Sequence, residues 1–510
     1  MGFNRSVVLL ALYAGAAAAG LLGAAMPASA QPAPGAGAGR SGAEQLQREA
    51  RLRELQQIEL DTRLRANQAI PPGQRVLIDY GAYIQLNYLD LDDQINDNHI
   101  LRQYELIPYL RLNFDGAHEV FLRGRIGYRD FNDGDSFDGR GDEPIDGDLD
   151  RGYYRFNLGR SNAAYGTNIF GARPGGFNVA VQGGRDFIYW GNGLVLAQTL
   201  DGGILDLELY PFQAQLIAGV TPTRTVDIDT SRPGFDYNTK RSFIGALVSM
   251  DAGGHRPYVY GLSQQDQNRN EYDLLALGPI ETHYHYDSWY VGVGSVGALT
   301  DRLRYGVEAA YQGGDTFSNS FELSPSGGLL PLPQTRNSIS AAAFDVRLDY
   351  LFNDPAQTRL SGELIGATGD SDRGHTSNTF NGNRRNTKDQ AFNAFGLLNT
   401  GLAFAPDVSN ILAGRVGLST FPLPNQPIFQ RMQVGADFFV FGRFEDDAPI
   451  DEPVADDRRY LGLEPDLYLN WQITSDVTLA LRYGVFFPNG NAFQESDPRH
   501  FFFAGLTFAF

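Results

Sequence analysis

The chain has 510 residues, a formal net charge of −19, no Cys and a mean hydropathy of −0.28, with 59 Gly, 34 Phe and 25 Tyr. The absence of Cys excludes disulfides, thiolate metal sites and a lipoprotein anchor, and the negative charge argues against nucleic acid as a partner. Many aromatic residues at low mean hydropathy are typical of transmembrane β-barrels, whose strands alternate lipid-facing apolar and water-facing polar residues.

Residues 1–30 have the pattern of a secretory signal peptide. Arg5 precedes an apolar stretch from Val7 to Ala25, and Ala28-Ser29-Ala30 forms a small-residue cleavage site. A membrane-spanning helix is the alternative, but the stretch is rich in Gly and Ala and ends at the processing site. We expect the mature chain to begin at Gln31.

Residues 31–74 are predicted to form a periplasmic extension. A linker rich in Gly, Ala and Pro (31–42) leads into a charged segment (43–68) whose Leu and Ile residues recur at helical spacing. No strict heptad continues across the segment, which favours a short helix over a coiled coil. Pro71-Pro72-Gly73 ends the helix.

From Arg75 to Phe510 the hydrophobic pattern has a period of two, which predicts an all-β, antiparallel transmembrane barrel. Nineteen segments alternate in this way, 393–404 and 431–443 among them, whereas bacterial single-chain barrels have even strand counts. We assign 431–443 to one long outer loop, 421–458, which leaves about 18 strands. Sixteen is the alternative, if a Gly-rich neighbour such as 177–186 is also misread.

The predicted connections differ in length, and the long ones hold two acidic runs, Asp133 to Asp150 and Glu445 to Asp457. Short periplasmic turns and long extracellular loops are the expected asymmetry, so the acidic runs are assigned to the extracellular side. Asp146-x-Asp148-x-Asp150 lacks the Gly and the closing Glu of a calcium loop. We therefore predict no cofactor and no ordered metal site, only diffuse binding of cations such as Ca²⁺ between these loops and lipopolysaccharide phosphates.

The last twelve residues, Arg499 to Phe510, form the strand with the clearest alternation. Phe502, Ala504, Leu506, Phe508 and Phe510 share one face, and the chain ends on the aromatic residue. This ending indicates the closing strand and assembly signal of a barrel in the bacterial outer membrane, in contact with lipid and lipopolysaccharide. A barrel of this size encloses an aqueous lumen.

The polar face of the strands predicts the residues that line the channel. Arg123, Arg125 and Arg129 share one strand face and would form a basic ladder that passes an anion from site to site. The alternative is that lumen charges pair with one another and brace the wall. The predicted lining comprises the basic residues Arg111, Arg123, Arg125, Arg129, Arg155, Arg304, Arg347, Arg359, Arg415 and Arg482 and the acidic residues Glu308, Asp345, Asp349, Glu363, Glu464 and Asp466.

Three segments resemble the alginate export family of outer-membrane β-barrels. They are the stretch from Gly184 to Val195 (GRDFIYWGNGLV), which includes Arg185, Trp190, Gly191 and Gly193, then Leu461 to Leu467 (LGLEPDL), and Tyr483 to Gly490 (YGVFFPNG). The chain departs from the family pattern at Asp186, where Gln is usual, and at Pro465, inside the Gly-x-Glu-x-Asp strand. The resemblance implies an eighteen-stranded channel for passive export of an anionic polysaccharide, with basic lumen residues meeting the sugar acids and a periplasmic scaffold delivering the polymer.

Other functions were weighed on the residues. A general diffusion porin for small solutes is the alternative channel, and a structural barrel plugged by loops is a third class. Gly134-Asp135-Ser136 and Gly369-Asp370-Ser371 resemble an esterase nucleophile, but neither is accompanied by an Asp-x-x-His pair, so we predict that the protein is not an enzyme. His283 and His285 lie two residues apart at a predicted strand end, which favours a membrane-interface position over a metal site.

Overall fold

The computed structural model describes residues 76–510 except 95, 138–140, 224, 230, 233–234, 236–238, 269–270, 276–277, 324–328 and 494. The predicted signal peptide and the extension 31–74 lie outside the described residues. None of the helices in the described part of the chain is long and apolar enough to cross a membrane.

The described residues form a closed antiparallel barrel of 18 strands, as predicted. The first strand, β1 (Val76–Asp92), pairs along its whole length with β2 (Asn98–Phe114). It also pairs with the last strand, β22 (Arg499–Ala509), from Tyr83–Ala509 to Leu91–Phe501, and this pairing closes the sheet. The barrel strands are β1 (Val76–Asp92), β2 (Asn98–Phe114), β3 (His118–Phe131), β4 (Glu143–Asn157), β5 (Asn178–Tyr189), β6 (Ala197–Leu209), β7 (Phe212–Val220), β8 (Arg241–Met250), β9 (His255–Asp266), β12 (Tyr286–Ala298), β13 (Leu303–Phe317), β16 (Arg336–Leu351), β17 (Arg359–Ala367), β18 (Ile411–Thr420), β19 (Met432–Arg443), β20 (Tyr460–Gln472), β21 (Val477–Pro488) and β22 (Arg499–Ala509).

Four shorter strands form two hairpins within the outer connections. They are β10 (Glu271–Leu275) with β11 (Gly278–Thr282), and β14 (Phe321–Leu323) with β15 (Leu329–Pro331). One short helix, α1 (Leu158–Tyr165), follows β4. The Asn157 side chain caps its first turn by accepting a hydrogen bond from the Arg160 N–H (3.0 Å), and Gly166 ends it in the left-handed conformation.

Because both ends of the barrel chain lie at the periplasmic side in such proteins, the connections can be assigned to a side. The periplasmic turns 115–117, 210–211, 251–254 and 473–476 are short, whereas the outer connections 221–240, 318–335 and 368–410 are long. Two periplasmic connections, 158–177 and 421–431, are longer than the rest. The overall asymmetry agrees with the prediction from the sequence.

Two strand assignments were wrong although their total was right. Residues 431–443 are not loop but strand β19, and residues 393–404, which the sequence predicts as a strand, belong to the connection 368–410. The apolar side chains of 393–404 are buried inside the barrel, so their alternation arises from packing in the lumen and not from contact with lipid. The predicted loop 421–458 is therefore divided by β19. Residues 178–186 lie in strand β5, and the 18 strands of the closed sheet rule out the sixteen-stranded alternative.

A third correction concerns the acidic run from Asp133 to Asp150, which was predicted to be loop. Its second half forms the outer part of β4, beginning at Glu143. Asp and Glu are unfavourable in strands, but here Glu143 and Asp150 bind arginines of the adjacent β3, which offsets their low strand propensity.

The two faces of each strand differ in chemistry. Apolar residues on the outer face are exposed, for example Val416 (59 %) and Leu467 (56 %), while charged residues on the inner face such as Asp345 and Glu464 are fully buried. Lipid covers the outer face in the membrane, and the inner face surrounds the lumen.

Substitution of Val416 by Arg tests whether the outer face contacts lipid. Val416 lies near the middle of the outer face of β18, so Val416→Arg should lower the free energy of unfolding in lipid vesicles by about 2–4 kcal/mol. Leu299→Arg, in an exposed periplasmic turn, serves as the control and should cost less than about 1 kcal/mol. Equal effects of the two substitutions in urea titrations would contradict the assignment of the outer face.

Candidate functional site

The connection between β5 and β6, residues 190–196, folds into the barrel. Gly191 and Gly193 both have positive φ (59° and 90°). A Cβ at Gly191 would collide with the carboxylate of Glu308, and one at Gly193 would lie 2.5 Å from the Tyr189 ring. These two positions therefore need glycine, because the connection turns sharply there and lies close to the wall. We call residues 190–196 the tip.

Asn192, between the two glycines, carries this tip across the lumen. Its backbone N–H donates to Glu308 of β13, and its side-chain amide donates to Asp345 of β16 (2.7 Å). Tyr258 and Tyr260 also donate to the Glu308 carboxylate, at 3.2 and 2.6 Å. Since β7, β8, β9 and β12 lie between β6 and β13 around the barrel, the tip reaches a distant part of the wall.

A second segment, from the connection 368–410, meets this tip inside the barrel. The Phe395 N–H donates to Val195 O of the tip (3.0 Å), and the Phe395 carbonyl accepts from the N–H of Ala197, the first residue of β6 (2.7 Å). The Leu397 N–H donates to Gly193 O (2.7 Å). We call residues 190–196 and 389–404 together the lumen crossbar. Its two parts are joined by these hydrogen bonds, which form one parallel bridge between Leu196 and Phe395.

Glu464 of β20 holds the far end of the lumen crossbar. Its carboxylate accepts the backbone N–H groups of Leu402, Ala403 and Phe404 at 2.5 to 2.8 Å. Pairing of β20 with β21 is interrupted at Glu464 and Pro465, so the proline, which has no N–H, stands where no ladder bond to β21 is made. The departure from the family pattern at Pro465 is therefore compatible with the strand.

Apolar side chains of the lumen crossbar and the wall form one hydrophobic cluster in the outer part of the lumen. The Phe404 ring stacks on Phe486 of β21 with centroids 4.3 Å apart, and it meets Phe441 of β19 edge-on at 4.9 Å. Leu194 and Phe395 belong to the same cluster. Toward the periplasmic end the inner face becomes more exposed, for example at Arg304 and Arg359.

The predicted basic ladder is neutralised by acidic partners. Arg123 pairs with Asp150, Arg125 with Glu105 and Arg129 with Glu143, and all three arginines are buried. The three carboxylates lie on β2 and β4, the strands to either side of β3, so the ladder presents no excess of positive charge.

Most other predicted lining arginines are also in ion pairs. Arg482 donates to the carbonyls of Leu469 and Leu481 and lies over the Tyr468 ring at 5.6 Å. Arg304 is exposed and lies opposite Asp349 in the ladder between β13 and β16. The pairs are Arg111–Glu119, Arg155–Asp206, Arg347–Glu363, Arg359–Asp349 and Arg415–Glu363.

The family-motif residues near Gly184 shape the wall and the start of the tip. Gly184 has φ 131° where β5 lies against Gly152 of β4, a contact that a Cβ would prevent. Arg185 pairs with Asp201 of β6 (2.5 Å) and donates to Leu149 O, while Trp190 donates its indole N–H to Gln215 of β7 (2.6 Å). Asp186 pairs with Arg151, so the unusual acid at this position has a partner on β4.

The sequence did not identify Asn192, Phe395 or the N–H groups of 402–404 as functional. A signal was present for Asn192, since an amide between two glycines is typical of a tight turn. Backbone N–H groups leave no trace in a sequence. No group of three potential metal ligands was found within the described residues.

Two buried carboxyl groups outside the barrel strands stabilise the connection 368–410. Burial raises the pKa of Asp389 to about 6, although the guanidinium of Arg373, 2.5 Å away, opposes this shift. Burial also raises the pKa of Asp229, in the outer connection 221–240, which accepts the Thr379 N–H. This contact joins the two outer connections.

Comparison with protein-family models matches residues 185–505, more than half of the chain, to the model described as alginate export. Comparison with curated proteins gave no match. Among solved structures, the chain is similar to Pseudomonas aeruginosa OccK8 (OprE) at 10 % identity and TM-score 0.49, over 85 % of this chain and 98 % of that one. It is also similar to P. aeruginosa OccK5 (OpdH), at 8 % identity and TM-score 0.48 over 86 % and 98 % of the two chains, and to P. aeruginosa OpdK with vanillate, at 10 % and 0.46 over 85 % and 98 %.

Glu464→Ala tests whether the carboxylate holds the lumen crossbar. Loss of three charge-assisted hydrogen bonds should destabilise the inward position of the lumen crossbar by about 3 kcal/mol. Amide exchange at 402–404 should then become about a hundredfold faster, and single-channel conductance should rise. Asp437→Ala is the matched control, because Asp437 lies on the adjacent β19 and its carboxylate pairs with Arg415. Unchanged exchange at 402–404 in Glu464→Ala would contradict the anchoring role.

The raised pKa of Asp389 predicts that the stability of the lumen crossbar depends on pH. Because its folded-state pKa, about 6, lies above the unfolded value of about 3.9, the folded segment binds the proton more tightly and gains stability as pH falls through 6. Amide protection at Phe395 and Leu397, corrected for intrinsic exchange, should therefore rise about tenfold from pH 7 to pH 5.

In Asp389→Asn most of this rise should disappear. Asp229 and Asp370, whose pKa values burial also raises, should leave a smaller residual dependence. Asp372→Asn, an acid of the same connection paired with exposed Arg384, should keep the wild-type profile. Protection that falls on acidification in the wild type would show that the sign is wrong.

Proposed function

We propose that this chain, which belongs to the alginate export family, exports an anionic polysaccharide passively from the periplasm. The protein is a channel of the bacterial outer membrane, with lipid around its outer face. Its cargo class, the direction of passage and a delivering periplasmic scaffold are parts of the proposal.

The observation that carries the anionic cargo is a pair of exposed guanidinium groups on the inner face, at the periplasmic ends of β13 and β17. Arg359 donates to Asp349 at 2.7 and 2.9 Å, and Arg304 lies opposite the same carboxylate in the ladder. Both arginines are exposed, so two cations share one anion where a polymer would enter. Exposed guanidinium groups can bind uronate carboxylates in bidentate fashion, which the buried arginines of β3 cannot do.

Passage of a polymer requires the lumen crossbar to move. Its apolar cluster lies across the outer part of the lumen, while its anchors are a few carboxylates on β13, β16 and β20. The acidic extracellular connections would then repel the emerging anion and favour its release. The inward position of the crossbar is also the observation that favours the second candidate, a porin for small solutes, because small molecules need less displacement.

Replacing the exposed arginines tests the proposal in planar bilayers. Wild-type protein should be anion-selective and blocked by oligouronates added at the periplasmic side, whereas neutral dextrins should block less. Arg304→Gln with Arg359→Gln should weaken oligouronate block about tenfold, because a site with two charge-assisted contacts is lost.

The matched control is Arg123→Gln with Asp150→Asn, which removes a buried ion pair without changing net charge. Block should stay within about twofold of wild type in this variant. Cation selectivity with no oligouronate block would overturn the polysaccharide proposal and leave the solute porin.

A further inference from the structure

Four aromatic side chains cross the inner face of neighbouring strands near their periplasmic ends. They are Tyr83 of β1, Tyr109 of β2, Phe121 of β3 and Tyr153 of β4, and we call them the aromatic strip. Tyr109 lies one step diagonally from Tyr83, Phe121 one step diagonally from Tyr109, and Tyr153 directly opposite Phe121. The strip is therefore continuous across four strands.

The rings lie nearly flat against one another in two pairs. Tyr83 and Tyr109 have centroids 5.6 Å apart at an interplanar angle of 28°, and Phe121 and Tyr153 are 5.6 Å apart at 30°. Phe121 is buried, whereas the three tyrosines are half-buried and expose part of their rings to the lumen.

Polar neighbours fix the orientation of the strip. The Tyr153 hydroxyl donates to Glu119 (3.1 Å), whose other oxygen binds Arg111 at 2.7 Å, and the Tyr109 hydroxyl donates to Asp79 at 3.5 Å. The Arg151 guanidinium lies over the Phe121 ring at 5.7 Å. Apolar ring faces thus alternate with charged hydrogen-bonding groups along one wall.

This arrangement needs explanation because the inner face of a wide barrel is usually polar. Stacked aromatics can simply brace the wall, but such bracing is complete when the rings are buried, as Phe121 is. Three partly exposed tyrosines next to paired charges instead combine an apolar platform with hydrogen-bonding groups at its edge, the combination that small-molecule sites use for orientation.

We propose that the aromatic strip is a saccharide-binding site at the periplasmic entrance, on whose tyrosine rings the C–H faces of pyranose units stack. The site rests on the proposed function for its place on the export route. It deepens that function by dividing recognition of the polysaccharide between two walls of the barrel. Stacking on the strip depends on the sugar ring and not on its charge, while Arg304 and Arg359, on strands far around the barrel from β1–β4, bind the carboxylates.

Binding of oligosaccharides to the refolded barrel in detergent micelles tests the site, with an oligouronate and a neutral dextrin of equal length as probes in titration calorimetry. Tyr83→Ala with Tyr109→Ala should weaken binding of both probes about tenfold, because two stacking platforms are lost. Tyr83→Phe with Tyr109→Phe keeps the rings and should stay within about twofold of wild type.

A second control removes two tyrosines from the opposite face of the same wall. Tyr104→Ala with Tyr128→Ala affects lipid-facing rings on β2 and β3 and should leave both affinities unchanged. The heat-dependent shift of each variant in gel electrophoresis confirms that its barrel is closed, so a loss of binding in a closed variant is attributed to the lost rings.

The outcomes separate this site from the proposed function. Dextrin binding that is lost in the Ala pair, with no oligouronate binding in any variant, supports the strip and overturns the anionic cargo. Oligouronate binding that the Ala pair leaves unchanged overturns the strip and keeps the anionic cargo. Absence of binding of either probe to the wild type overturns the strip.

Discussion

Every backbone N–H and C=O group that crosses the hydrocarbon layer must find a partner within the protein, because lipid offers none. This chain meets the requirement by pairing β1 with β22, which leaves no free strand edge. Closing 18 strands in this way produces a lumen too wide for wall side chains alone to fill. The ion pairs along the inner face and the lumen crossbar are both consequences of that width.

Part of this structure was predictable from the sequence because strand alternation is a local property. The ends of the barrel and the phase of most strands follow from the spacing of apolar residues. The count of 18 was right because two wrong assignments, 393–404 and 431–443, offset each other. Residues 393–404 were assigned to a strand because burial in a lumen and contact with lipid select the same side chains. Glu143 and Asp150 were assigned to a loop because their favourable partners, Arg129 and Arg123, are on another strand and are joined to them only by the fold.

The candidate site likewise combines features that local spacing predicts with features that depend on the fold. Glu464, Glu308 and Asp345 were expected to line a channel, and they lie on the inner face, but their carboxylates bind backbone and amide N–H groups of the lumen crossbar. The arginines with the most regular spacing, on β3, are buried in ion pairs, whereas Arg304 and Arg359, which show no such regularity, are exposed. Regular spacing identifies the face of a strand, but the availability of a charge depends on the neighbouring strands.

Glu464 binds main-chain N–H groups of 402–404, which every residue type except proline possesses. The anchor itself therefore excludes only proline at these three positions, although packing on Phe486 and Phe441 also constrains Phe404. The partly exposed Leu402 could differ among relatives, and so alter the lining of the lumen, while the carboxylate continues to hold the segment.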